Sequence, residues 1–336
     1  MTTEKPKRRP RYAGKHPRHF SEKYKEHRPD RYAEDVAKVI AGGKTPAGTH
    51  RPIMVREILE TLNAQPGQLA VDCTLGYGGH ARSLLSAIQP GGRLIGLDID
   101  PIELPKTEIR LRALGFGPDV LTVHRSNFAG LARLLPEPAD IILADLGVSS
   151  MQMDNPERGF TYKYDGPLDL RMNPQRGRPA SELLASLDES TLSALLVQNA
   201  DEPNAERLAR AILKSPISTT TQLDTVVRRS GGDDDTIRRI FQALRIAVND
   251  EFNALDAFLR DLPLCLKAGG RVAILTFHSG EDRRVKKSFQ VGERNGAYAE
   301  IAHAVLRPTS EEVRSNPRSR SAKLRWAERS ASDSLV

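Results

Sequence analysis

The stretch Val71-Asp72-Cys73-Thr74-Leu75-Gly76-Tyr77-Gly78-Gly79-His80 sets three glycines and a histidine directly behind a short apolar run. Residues without a Cβ let backbone amides approach a ligand and permit positive φ, so glycines between a strand and a helix suit a nucleotide-like ligand at the helix N-terminus. Asp98 lies 20 residues beyond Gly78, at the end of the next apolar run. A carboxylate there can accept hydrogen bonds from both hydroxyls of a ribose, and the pair of features reads as an adenosine site. Gly76, Gly78 and Ala81 also satisfy G-x-G-x-x-A, so a nicotinamide or flavin dinucleotide is an alternative, as is a tight strand-to-helix turn that holds no ligand.

A second signature is Ile141-Ile142-Leu143-Ala144-Asp145-Leu146-Gly147-Val148-Ser149-Ser150, with Gln152 just beyond. An apolar strand that delivers an acid and small polar residues to a sheet edge can hold both a cofactor and an amine. Asp145 as a plain helix cap is the competing reading. His278, close to Glu281 and Asp282 after a third apolar run, offers a proton acceptor or an RNA phosphate contact, or a capped helix start with a solvated charged face. Asp145, Ser149 and His278 are the catalytic candidates, and none is assigned as a general base. Metal-ligand spacing is absent, so no metal is expected.

The elements that must carry these residues alternate. Met54 to Leu62 has the spacing of a short amphipathic helix. Leu69 to Cys73, Arg93 to Leu97, Val120 to Val123 and Ile141 to Ala144 read as strands, with helices over His80 to Ile88 and Pro101 to Leu114. Strands alternating with helices imply a parallel sheet whose ligands bind at the strand carboxyl ends. Residues 151 to 179 break the alternation as a long Gly, Pro, Arg and Asp loop. Helical patterns follow, the strongest from Asp235 to about Leu262. The sheet resumes at Arg271 to Phe277 and continues through a helix over His278 to Phe289. Two further runs, Glu300 to Leu306 and Ala322 to Ala327, are placed as a closing hairpin.

The chain has 336 residues, 39% hydrophobic and 28% charged, with a formal net charge of +7. That balance suits a soluble globular protein with a polyanionic partner. The excess is concentrated in an N-terminal arm, where residues 1 to 28 carry ten Lys and Arg against three Glu. Two cysteines far apart in sequence point to a reducing cytosol, and no run of 18 apolar residues or signal-peptide core is present, so a cytoplasmic protein is expected.

Taken together, the blocks His50 to Glu57, Asp72 to His80, Asp98 to Pro101, Asp145 to Gln152, Arg158-Gly159-Phe160, Gly166 to Met172, Phe241 to Asn249, Phe277 to Lys286 and Asn316 to Arg325 closely resemble the ribosomal RNA small subunit methyltransferase H family, the rRNA cytosine-N4 methyltransferases. The resemblance implies an α/β fold, a Rossmann-like S-adenosylmethionine-dependent methyltransferase sheet with an inserted α-helical domain. It divides the chain into a basic arm (1–45), a methyltransferase domain (46–155 and 265–330) and an inserted loop and helical substrate-recognition domain (156–264). It places S-adenosylmethionine contacts on Gly78, Gly79, His80, Asp98, Phe128, Asp145 and Gln152. Phe128 fits physically, since an aromatic face can pack on adenine, although ordinary core packing explains it equally well. The implied substrate is the N4 amine of a cytosine in the decoding centre of 16S rRNA in the small ribosomal subunit; chemistry on a base leads us to expect it flipped into a pocket between sheet edge and insertion. RNA contacts are expected from Arg158, Arg171, Lys286, Lys287, Arg314, Arg318, Arg320, Lys323 and Arg325, and a homodimer is a further alternative. The chain departs from the family pattern at Ile99 (usually Arg), at Gly280 (usually Leu), around Asn199 to Pro203, and over Asp233 to Arg239.

Overall fold

The computed structural model describes residues 52–331; the basic arm expected over residues 1–45 lies outside the described residues. Helix α1 (Val55–Leu62) leads into β1 (Leu69–Asp72), α2 (Gly79–Ile88), β2 (Arg93–Asp98), α3 (Glu103–Ala113), β3 (Leu121–Arg125), the short α4 (Leu131–Leu134) and β4 (Ala139–Asp145). After β4 come α5 (Ser150–Asp154), α6 (Ala180–Ser186), α7 (Glu189–Ala200), α8 (Ala205–Ile212), α9 (Thr220–Arg229), α10 (Asp234–Asn249) and α11 (Glu251–Cys265). The chain closes with β5 (Leu266–Thr276), α12 (Ser279–Arg294), β6 (Tyr298–Ile301), α13 (Ser310–Ser315) and β7 (Lys323–Arg329).

The strands form one seven-stranded sheet in the order β3-β2-β1-β4-β5-β7-β6. The first five pair in parallel, whereas β7 runs antiparallel to both β5 and β6. This is the expected Rossmann-like α/β fold, with helices inserted between β4 and β5. All four residues of β1 are buried, as a central parallel strand covered on both faces requires. Successive residues of each strand feed opposite faces. Val71, Leu97, Ile142 and Ile274 join one cluster with Leu255, Phe258 and Leu262 of α11 and Val285 and Phe289 of α12. Ala70, Leu94, Ile141 and Leu143 join another with Ile58 of α1, Leu84 and Leu85 of α2 and Leu111 of α3. The order reverses between β1 and β4, and such a switch point opens a crevice at the strand carboxyl ends. Asp72, Asp98 and Asp145 are the last residues of β1, β2 and β4.

A third cluster is built from the inserted residues, including Phe160, Leu168 and Leu170 of the loop, Leu192 and Leu196 of α7, Leu208 of α8, Leu223 of α9 and Ile237, Ile240 and Leu244 of α10. The run from Asp235 to Leu262, expected as one helix, is two. Asp250 stands in the left-handed region at φ 51 and breaks it, a conformation that Asp tolerates better than most residues. The apolar period carries on through the break, which is why the spacing conceals it. The halves then bury in different places, α10 in the third cluster and α11 against the sheet. Residues 151–179 are better ordered than a loop reading suggests. The Asn249 side chain donates to the Leu170 carbonyl and accepts from the Met172 N–H, both at 2.7 Å. A Cβ on Gly159 (φ 74) would fall 2.3 Å from the Pro167 carbonyl.

Candidate active site

The acid ending β2 organises the crevice before any ligand arrives. Asp98 Oδ2 accepts the Gly76 N–H at 2.7 Å and Oδ1 accepts the Asp100 N–H at 2.9 Å, so one carboxylate fixes the glycine loop and the turn after its own strand. Burial lifts its pKa to about 6 in spite of those donors. Helix α3 grips the loop from the other side, with Thr107 Oγ1 donating to the Gly76 carbonyl and the Arg110 guanidinium 3.8 Å from the Tyr77 ring centre. Gly78 caps α2 at φ 82, and a Cβ there would lie 2.9 Å from Thr107 Cγ2. On Gly79 it would meet Pro52 Cγ at 3.0 Å. The glycine requirement therefore comes from packing on both sides.

Asp72, quoted in the motif but given no role, proves as central as Asp98. Its Oδ1 accepts the Thr74 N–H at 3.1 Å, while Oδ2 is buried without a hydrogen-bond partner. Burial raises its pKa to about 6, against the opposing pull of His80. The signal that could have found it is the one that found Asp98 and Asp145, an acid ending an apolar strand. His80 Nε2 lies 2.9 Å from the Ile53 carbonyl and must carry a hydrogen to bond it; Nδ1 lies 3.4 Å from Asp145 Oδ2. Burial alone would lower the imidazole pKa, but Asp145, the Ile53 carbonyl and Asp72 outweigh it and the net shift is upward. The ring is 7% exposed, so its side chain serves Asp145 and Ile53, and what it presents at the helix N-terminus is its backbone. The Asp145 N–H donates to Thr74 Oγ1 at 2.7 Å, which locks β4's end onto the turn after β1.

Ser149 is the N-cap of α5. Its hydroxyl accepts the Gln152 N–H at 3.2 Å while Gln152 Oε1 accepts the Ser149 N–H at 3.0 Å, a reciprocal capping box. Gln152 also donates from Nε2 to Asp100 Oδ2 at 2.7 Å, leaving one amide hydrogen for any other partner. Phe128 is half-buried and sets its ring edge-on to Phe258, centroids 5.3 Å apart, so its packing role is plain. His278 caps α12, its Nδ1 accepting the Glu281 N–H at 3.4 Å. Its Nε2 approaches Glu281 Oε1 to 3.0 Å, yet the alignment is too poor for a hydrogen bond and the nitrogen is buried. The cap of that reading holds, but its solvated charged face does not, because Glu281 and Asp282 are buried. Burial opposes ionisation of Glu281, but His278, Arg245 and the Phe277 N–H together hold its pKa below the usual value.

The expected RNA contacts divide sharply. Arg158 and Arg325 are buried, Arg158 against Asp100 and Arg325 against Asp282, which corrects their assignment as surface contacts. Arg171, Arg318 and Lys323 are held by Asp169, Asp154 and Asp282. Lys286, Lys287, Arg314 and Arg320 are exposed.

Residues 47–330 match the family described as the MraW methylase family. The chain belongs to that family. It is 52% identical to "Ribosomal RNA small subunit methyltransferase H 2" of Alkaliphilus metalliredigens over 96% of this chain and 98% of that protein. It is 49% identical to "Ribosomal RNA small subunit methyltransferase H 1" of Lachnoclostridium phytofermentans over 96% and 92%. Two of the stretches expected to depart from the family pattern touch each other. Arg239 pairs with buried Glu202 at 2.6 Å, while the Asn199 amide donates to the Ala243 carbonyl and the Gln242 amide to the Asn199 carbonyl, so residues 199–203 are tied to α10. A third is steric, because a Cβ on Gly280 would lie 2.6 Å from Phe252 Cζ, in space a Leu would need.

Proposed function

We propose that the protein transfers a methyl group from S-adenosylmethionine to the N4 amine of a cytosine in the decoding centre of 16S rRNA. The observation that carries this is the acidic rim of the crevice, with Asp72, Asp98 and Asp145 at three neighbouring strand ends and a buried Asp72 oxygen lacking a partner. S-adenosylmethionine supplies a methyl on a positively charged sulfonium and carries an ammonium group, and an acidic rim suits both charges. The pyrophosphate of a dinucleotide would meet the same carboxylates as repulsion, which disfavours the nicotinamide alternative.

In this reading Asp98 accepts the ribose hydroxyls, Asp72 Oδ2 takes the ammonium, the amides of Gly78 and Gly79 border the donor, and Phe128 packs its ring on adenine. A cytosine amine is a weak nucleophile because its lone pair is delocalised into the ring, so alignment and electrostatics must supply most of the rate. Asp145, held by His80, accepts a hydrogen bond from that amine and stabilises the positive charge that develops on it. The relatives' names point to ribosomal RNA of the small subunit as substrate. Residues 156–264 were expected as the substrate domain; the third hydrophobic cluster favours residues 160–248 as the module that presents RNA, with α11 serving the sheet. No helix among the described residues is long and apolar enough to cross a membrane, in keeping with a protein that works on ribosomal subunits in the cytoplasm.

The test combines titration with S-adenosylmethionine and with NAD, and tritiated methyl transfer to small subunits from cells lacking the gene. Binding of the first ligand, together with label on one cytosine, supports the reading. Binding of NAD alone, or label elsewhere, refutes it.

A further inference from the structure

We infer that Asp100 and Arg158 are positioning residues that couple donor binding to the placement of the inserted helices, and that Arg158 does not contact RNA. The inference rests on the function proposed above. Asp100 is 1% exposed, and its carboxylate collects four hydrogen bonds: from the N–H groups of Ile102 (2.8 Å) and Glu103 (3.3 Å), from Gln152 Nε2 (2.7 Å) and from Arg158 Nη1 (2.8 Å). Its own N–H holds Asp98 Oδ1. A shift of Asp100 therefore turns the carboxylate that receives the ribose.

Arg158 carries the connection away from the crevice. Its Nη2 donates to the carbonyls of Arg171 (3.2 Å) and Met172 (2.9 Å), and the guanidinium lies 5.9 Å from the ring centre of Phe160 in the third cluster. The Met172 N–H then donates to Asn249 Oδ1 on α10. An unbroken path thus joins Asp98, Asp100, Arg158, Met172 and Asn249, from the end of β2 to the helices of the insertion. Arg158 reads as a phosphate contact in the sequence because it is an arginine in a polar loop, but both of its terminal nitrogens are committed inside the protein. A side chain in that position can influence RNA only through the segment it holds.

The experiment uses the full chain with Arg158→Met, Asp100→Asn and the double variant. It measures S-adenosylmethionine affinity by calorimetry, KM and kcat on immature small subunits, and the salt dependence of RNA affinity. Coupling of ordinary size raises the donor Kd about tenfold in Arg158→Met, with the double variant far less than additive. The slope of log affinity for RNA against log salt stays that of the parent. A slope smaller by about one with an unchanged donor Kd would make Arg158 a phosphate contact and overturn the inference. Unchanged Kd in both single variants overturns it as well. Should Arg158→Met unfold, Arg158→Lys, which keeps the charge opposite Asp100, must show the same direction with a smaller size. If the unaltered chain binds no donor, the functional reading falls and the inference falls with it, a result distinct from the other two.

Discussion

Replacing Asp98 by Asn tests the proposed placement of the donor's ribose. Both carboxylate oxygens already accept a backbone N–H, from Gly76 at 2.7 Å and Asp100 at 2.9 Å. An asparagine must turn its NH2 toward one of these donors, so the substitution disturbs the glycine loop or the turn at Asp100 in addition to removing the charge. A hydrogen bond to a charged group is worth about 1.5–3 kcal/mol, so the donor Kd rises about 10- to 150-fold for each ribose bond weakened. The pH dependence adds a second signature. Asp98 and Asp72 both titrate near pH 6, and both are read as binding the donor when ionised. Affinity in the parent therefore falls as pH drops through 6, with log Kd approaching a slope of two per pH unit, and Asp98→Asn removes one unit of that slope. Calorimetric titration between pH 5 and 8 measures both. A Kd within twofold of the parent, with the slope intact, would refute the placement of the ribose on Asp98.

The buried acids also set a stability trend in the donor-free protein. Asp72 has a folded pKa of about 6 against an ordinary value of 3.8, so the folded state binds more protons between those values; its contribution to stability rises as pH falls through 6 and is complete below 3.8. Asp72→Asn accordingly stabilises the donor-free protein at pH 7.5, by up to about 3 kcal/mol, while weakening donor binding; thermal melts with and without donor separate the two effects. His80→Ala strips Asp145 of its buried partner and leaves the Ile53 carbonyl unbonded, and single-turnover methylation falls about 10- to 150-fold if one charged hydrogen bond is lost. Gly280→Leu drives a side chain into Phe252 and costs about 1–3 kcal/mol in a urea melt, most of it recovered by also making Phe252→Ala. Lys286→Ala together with Lys287→Ala lowers the salt slope of RNA binding by about one for each lysine that meets a phosphate, without altering donor affinity.

Much of the sheet was legible because β1, β2 and β4 each announce themselves twice, by an apolar run and by the aspartate that ends it, whereas β3 and β5, ending at Arg125 and Thr276, show only the run. Asp98 and Asp145 were found in this way, and Asp72 carries the same mark. Periodicity failed where one pattern served two partners: nothing in the spacing from Ile237 to Leu259 tells that Asp250 turns the chain so that the second half leaves the helical cluster for the sheet. Arginine was the least readable residue type. Arg158 and Arg325 look like surface cations in the sequence, yet each is buried on an aspartate far away along the chain, and burial of a charge depends on a partner that local composition does not reveal. The catalytic candidates behaved similarly, since the cap functions of Ser149 and His278 follow from local sequence, whereas the His80 to Asp145 contact needs the sheet to bring β4 beside α2.

The last strand among the described residues is an interior strand of the sheet. Because β7 sits between β5 and β6, the whole segment from β5 to β7 must leave the ribosome before β5 can find its neighbour on that side. Until then an eleven-residue strand leaves one row of backbone groups unsatisfied, inviting pairing with another nascent chain. A stop codon anywhere ahead of β7 would thus do more than shorten the chain: it would leave β5 open and make the product prone to aggregate.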